Sequence, residues 1–380
     1  MKSICFVVAT PFTANAFLLE HIKQLSLFYK VTLCLNLNLY PLSAGFDLKK
    51  LQVIDVPIER KINLLKDFGA LFALFALFNK ERFDVVHTVS PKAGLLGMLA
   101  GFFSQTKNRF HTFTGQVWVN SNGLSKLFFK AIDRLICRLA TQVFADSQSQ
   151  IDFLITEGIC KKSEICLLGN GSISGVNLSR FKPDLTARNS CRDLLAARES
   201  DIVYLFVGRV CRDKGIFDLL AAFNKITSNF ESNVHLWVVG PDEGDVGPEL
   251  KIMYPKLQNQ VEWIGPSFEP EKYMAAADVL VLPSYREGFG SVVIEAAACK
   301  IPAIAYATEG ITDAIEDQWT GLLAQKYDIE DLALKMNLLA VNTDLRLMLG
   351  LNAYERAMEF FSSDAVTTEW LIFYQKVLSK

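Results

Sequence analysis

Short apolar runs alternate with stretches whose apolar residues recur at helical spacing along almost the whole chain. In the first half, residues 4–9, 31–35, 85–89, 110–113, 143–146 and 164–168 read as strands; in the second, 202–207, 234–239, 261–264, 279–282, 303–306 and 321–323 do. Between the first two, Leu18, Ile22, Leu25 and Tyr29 keep one helical face. Strands this apolar are buried on both sides, and their alternation with helices predicts parallel βαβ units, an α/β fold.

Two helical stretches carry an unusual pattern. Leu64, Phe68, Leu71, Phe75 and Phe78 form one stripe, yet the opposite side (Ala70, Leu74, Leu77) is also apolar. The spacing predicts a buried helix, with a helix lying partly in a membrane interface as the alternative. In 124–139, Lys126, Lys130, Arg134 and Arg138 are spaced four apart, and Leu124, Leu127, Phe128, Ile132 and Ile136 are among the residues filling the other faces. That pattern fits either a solvated charged face over a buried helix or a basic helix resting on anionic lipid. The apolar stretch 68–78 is too short to span a bilayer, and the N-terminal run 4–9 is shorter than a secretory core, so it reads as a first strand.

Length and charge sharpen the division. A chain of 380 residues predicts two domains. Residues 1–190 carry 22 Lys and Arg against 13 Asp and Glu, a net of +9, whereas 191–380 carry 17 against 28, a net of −11. The basic half therefore points at something anionic; charge alone leaves nucleic acid and an anionic membrane surface both open. Eight cysteines without a CxxC pair read as reduced residues of a cytosolic protein. Four histidines without an HExxH pattern give no reason to expect a metal site.

The chemistry concentrates in 283–299, PSYREGFGSVVIEAAAC. Pro283 ends a strand, Glu287-Gly288-Phe289-Gly290 makes a turn, and a short apolar helix carries Glu295 eight residues after Glu287. Two carboxylates beyond the carboxyl end of a parallel strand lie where open α/β sheets bind ligands, and an ionised carboxylate can accept from both hydroxyls of a diol. Earlier, Gly208-Arg209 and Lys214-Gly215 place two cations between a strand and a helix start, a site suited to a diphosphate. Gly240 begins another tight turn on the same predicted edge. In the first half, His111 and Gly115 follow a strand, Lys92 opens the helix after 85–89, and Asn15 lies in the glycine-free loop after the first strand.

The Glu287-x7-Glu295 stretch resembles the Glu-x7-Glu motif of retaining glycosyltransferases with the GT-B fold, family 4. SPKAGLLG (90–97), HTFTG (111–115), GR-x4-KG (208–215) and TGLL (320–323) occur in that family's order, and SPKAGLLG is similar to a segment of bacterial capsule and lipopolysaccharide sugar transferases. The resemblance implies two Rossmann-like doubly wound parallel-sheet domains facing across a cleft: 1–183 on the acceptor side and 184–363 on the donor side, with a helix at 364–380 packing back on the first. It implies a nucleotide-sugar co-substrate, expected to be a UDP-sugar, with no cofactor and no metal. Arg209, Lys214, Gly208 and Gly240 would hold the diphosphate, Glu287, Gly288, Phe289 and Gly290 the donor sugar, and Glu295 the ribose. Glu287, His111 and Lys214 are the expected catalytic residues; Asn15, Lys92 and Gly115 are candidates on the acceptor side. The implied acceptor is a lipid-linked saccharide of O-antigen or capsule synthesis, at the inner face of the cell membrane, with no role for nucleic acid. Rival readings are a nucleotide-sugar 2-epimerase on the same scaffold and a non-catalytic sugar- or lipid-binding subunit. The chain departs from the family pattern in its first loop, at Asn177, at Glu309-Gly310-Ile311 and at Gln318.

Overall fold

Every strand pair among the described residues is parallel, and the pairs assemble into two separate sheets. The protein is represented by a computed structural model that describes residues 1–39, 41–59, 62–227 and 234–379. One unit comprises Met1–Ser174 with Ser363–Lys380, the other Gly175–Ser362. The dividing line thus falls before Gly175 rather than at 183/184, because Val176 and Phe181 are buried in the second unit's core. The stretch 184–201, which reads as a polar connection, is a working part of that unit. Asp184 caps the helix Leu185–Leu194 through Ala187 N, and buried Arg192 bonds Asp278 and the Ala276 carbonyl.

The first sheet contains β1 (Ser3–Val7), β2 (Lys30–Leu35), β3 (Leu51–Asp55), β4 (Val85–Val89), β5 (Asn108–Phe113), β6 (Gln142–Ala145) and β7 (Ile165–Cys166), in the order β3-β2-β1-β4-β5-β6-β7. β7 is only two residues long, shorter than its apolar run predicts. Helices Leu64–Glu81, Pro91–Phe103 and Gly123–Leu139 contribute to the core on one face. The other face is covered by Leu19–Leu25 and by the C-terminal helix Ser363–Leu378, whose Trp370 and Tyr374 pack against His21, His87 and Phe144. Lys380, the last residue of the helix expected there, lies outside the described residues.

The helix Leu64–Glu81 turns inward a face drawn from both of its stripes. Ala70, Leu74 and Phe78 are buried, whereas Leu64 and Phe68 are each 69% exposed. The inward face is therefore shared by the two stripes and packs toward the helix Pro91–Phe103, with Leu71, Phe75 and Leu77 half-buried at its borders.

The second sheet contains β8 (Ile202–Val207), β9 (Val234–Val239), β10 (Val261–Gly265), β11 (Val279–Leu282), β12 (Ala303–Tyr306) and β13 (Gly321–Ala324), ordered β10-β9-β8-β11-β12-β13. Both sheets are doubly wound, and each reverses direction beside its first strand, the place where such folds open a binding crevice. In the second unit that place lies between β8 and β11.

Candidate active site

The loops leaving β8 and β11 are pinned to each other by backbone. Tyr285 N donates to Asp213 O at 3.0 Å, and Gly215 has a left-handed φ of 69°. A Cβ at Gly215 would stand 1.9 Å from the Pro283 carbonyl oxygen, so only glycine permits this approach. The loop after β9 joins the pair in the same way: a Cβ at Gly240 would lie 1.8 Å from Gly208 O, and Gly208 N donates to Val239 O.

This frame sets the charged side chains. Lys214, on a single tight turn, reaches Glu287 with Nζ 2.5 Å from Oε1, both side chains largely buried. A weaker pair beside it, Arg286 to Asp213 at 3.5 Å, runs in the opposite sense between the same loops. Arg209 lies on the β8 loop with one guanidinium nitrogen 2.5 Å from Glu243 Oε2. Burial alone would lower the Arg209 pKa, but the Glu243 carboxylate raises it overall. The helices Ile216–Thr227 and Ser291–Ala298 begin directly after these loops, adding N-terminal N–H groups. Two cations, free N–H groups and a carboxylate at one sheet edge can hold a diphosphate and one hydroxyl-rich group beside it.

Glu295 occupies the helix after this turn and makes no hydrogen bond or ion pair among the described residues. Burial pushes its carboxyl up to about 7; Arg180 works against that shift and Glu271 adds to it. At neutral pH it is therefore poised between donor and acceptor, not the fixed acceptor that the sequence suggests. Phe289 is 2% exposed and packs on Phe361, so its side chain belongs to the core. Gly288 and Gly290 are buried parts of the same turn, and here only backbone can face a ligand.

The first-unit candidates are placed differently. His111 is fully buried within β5: Nδ1 lies 2.7 Å from Thr88 Oγ1, and a Cβ on Gly94 would come 2.5 Å from the ring. Burial drives its pKa down to about 3, partly offset by its bond to Thr88. In a sheet covered on both faces a residue two short of the strand's end is interior, so the structure places His111 beside Thr88 and Gly94 and gives no observation that assigns it to a ligand. Lys92 Nζ pairs with Asp67 at 2.7 Å, tying two helices together. Asn15 holds the 41–43 loop, donating to Pro41 O and accepting from Ser43 N. Gly115 turns the chain after β5 with φ 95°. None of these observations assigns the three to a ligand.

One charged residue at the site escapes sequence reasoning. Glu243 is carried to Arg209 by the loop after β9; the only hint is the tight GPDEGD turn at the same predicted edge.

Known proteins resemble this chain along both units. The family described as Glycosyl transferases group 1 matches residues 188–356, and the Glycosyl transferase 4-like domain matches 26–171. The capsular polysaccharide biosynthesis glycosyltransferase CapM of Staphylococcus aureus is 30% identical over 86% of this chain and 85% of its own. An Escherichia coli UDP-Gal:alpha-D-GlcNAc-diphosphoundecaprenol alpha-1,3-galactosyltransferase is 26% identical, over 71% of this chain and 70% of its own. Among solved structures, Anabaena HepE in complex with UDP and glucose superposes with a TM-score of 0.82 at 19% identity, covering 99% of this chain and 100% of that one; this likeness speaks to fold.

Proposed function

Because the chain belongs to the glycosyl transferases group 1 family, with the GT-B fold, we propose that it transfers a sugar from a UDP-sugar to a lipid-linked saccharide, with retention at the anomeric carbon. Its broader setting is bacterial polysaccharide synthesis, the work of CapM and its kin. The observation that carries the finer reading is the convergence of Arg209, Lys214 and Glu287 where the second sheet reverses. The E. coli relative's name specifies both a UDP donor and a diphosphoundecaprenol acceptor, which supports the same pair here.

In the proposed reaction, Arg209 and Lys214 neutralise the diphosphate as the bond from the anomeric carbon to phosphate oxygen breaks, and they stabilise the UDP that leaves. Glu287 accepts hydrogen bonds from the transferred sugar, and Glu295 engages the ribose diol. The acceptor hydroxyl attacks from the face the leaving group vacates, and its proton passes to the departing phosphate oxygen. The two cations take the place of a metal ion in this scheme.

Incubation with a panel of UDP-sugars and a polyprenyl-diphosphate saccharide, with chelator present, tests the reading by mass spectrometry. One sugar added to the acceptor with its anomeric configuration kept is expected. Sugar interconversion without acceptor would assign an epimerase instead.

A lipid-borne acceptor calls for a route to the membrane, and the first unit offers one. No helix among the described residues is long and apolar enough to cross a bilayer. Yet Leu65, Phe68 and Phe72 on one helix, and Leu124, Leu127 and Phe128 on another, are between 56% and 87% exposed. The cationic stripe expected on Gly123–Leu139 is less free than its spacing predicts: Lys130 pairs with Glu157 at 2.5 Å and Arg134 bonds the Gly158 carbonyl. Contact with the bilayer therefore rests on the apolar residues, with exposed Arg138 among the cations of the second helix. Co-sedimentation with phosphatidylglycerol vesicles should fall at least fivefold in the Leu65→Asp/Leu124→Asp variant. Unchanged binding would contradict this route.

A further inference from the structure

We propose that Glu243 is a built-in competitor for the diphosphate site, holding Arg209 in the donor-free protein and exchanging places with the incoming anion. This rests on the donor-site reading above and adds to it a control on how tightly UDP is held.

Three observations carry the inference. First, the contact is direct, with Arg209 Nη1 2.5 Å from Glu243 Oε2, so the guanidinium expected to meet a phosphate already holds an anion of similar geometry. Second, the backbone beneath Glu243 is fixed. Its N–H donates to Val210 O at 3.0 Å, Val210 N donates to Pro241 O at 2.8 Å, and Asp242 caps the following helix through Val246 N and Gly247 N. The loop therefore stays in place, and an exchange at Arg209 falls on the Glu243 side chain, about one-third exposed. Third, Lys214 carries the same kind of internal counter-charge in Glu287, but Glu287 sits in the sugar-binding turn and keeps a use once the donor is bound. Glu243 lies on the loop after β9, outside that turn. With a diphosphate on Arg209 its carboxylate would face a like charge, so it opposes binding and favours release.

The test is UDP titration by calorimetry, with dissociation rates by stopped flow, on wild type, Glu243→Gln, Arg209→Met and the double variant. Glu243→Gln keeps the shape and loses the charge. A half-buried pair open to solvent on one side contributes about 1 kcal/mol, so UDP should bind about fivefold tighter, mainly through slower dissociation. In the Arg209→Met background the same change should do much less. Unchanged or weaker UDP binding in Glu243→Gln, with an unaltered melting curve, overturns the competitor role while leaving the donor site standing if Arg209→Met still weakens UDP. If Glu243→Gln unfolds the protein, Glu243→Asp decides: its shorter side chain loosens the contact, and UDP binding no tighter than wild type overturns the proposal. Should UDP fail to bind wild type, or bind Arg209→Met equally well, the donor-site reading and this proposal fall together.

Discussion

Replacing Gly215 by alanine strikes the joint on which the whole site depends. The residue has φ 69°, and a new Cβ would lie 1.9 Å from Pro283 O, about 1.5 Å inside an ordinary contact. The left-handed conformation costs an L-residue roughly 1–2 kcal/mol, and an unrelieved overlap of this size adds roughly 1–3. We expect a loss of about 3 kcal/mol, a fall in Tm of about 6–12 °C for a unit of this size. The fold survives that loss; the site does not. Relief of the overlap separates the loop bearing Lys214 from the one bearing Glu287, and a shift of about 1 Å at such a site costs about 100-fold in rate. The assay is sugar transfer at saturating and subsaturating UDP-sugar, alongside a thermal melt. Gly69→Ala is the control: nothing lies within 4 Å of its added Cβ, and helix propensity alone should stabilise it by roughly 0.5–1 kcal/mol. Activity of Gly215→Ala within threefold of wild type, at an unchanged Tm, would refute the claim that these loops are locked together.

Other expectations follow from single groups. Burial lowers the His21 pKa from its ordinary 6.5 to about 4, its bond to Ile173 O opposing, so the unfolded chain takes up the proton first. Stability should therefore fall as pH drops from 6.5 through about 4, by about 3 kcal/mol from this group, and a His21→Gln variant should show a flatter melting-temperature profile over that window. Glu295, raised by burial to about 7, should make UDP-glucose binding strengthen as pH rises through 7 if its ionised form receives the ribose; Glu295→Gln should bind weakly at every pH, and a wild-type profile flat from pH 6 to 8 would count against that role. Trp370→Ala removes a buried indole that joins the C-terminal helix to the first sheet, and roughly 3–5 kcal/mol of stability should be lost in a chemical melt.

The second unit was the more readable half. Most of its strands are apolar runs, and Arg209, Lys214 and Glu287 stand out because charged residues in the loops that leave such runs lie at the sheet's edge. Less could be read where the sequence permits two placements. The helix Leu64–Glu81 is apolar on both sides, and periodicity cannot say which face meets the core; Ala70 and Leu74 from one stripe and Phe78 from the other do. The burial of His111 is not legible either, because nearness to a strand's end does not reveal whether the ring points under a helix. Leu51–Asp55 was missed as a strand, since only Leu51 is buried and its polar positions hide the pattern. The GPDEGD turn hints at Glu243, but pairing it with Arg209 needs the topology, because β9 becomes β8's neighbour only in the folded sheet.

The central claim is that Arg209 and Lys214 form a diphosphate site at the turn of the second sheet. Calorimetric titration with UDP and with uridine, on wild type and on Arg209→Ala/Lys214→Ala, tests it most directly. The account predicts that UDP binds wild type at least about 100-fold more tightly than uridine, roughly 2.7 kcal/mol attributable to the phosphates, and that this advantage collapses in the double variant. Equal binding of UDP and uridine, or an advantage that persists without the two cations, would contradict it.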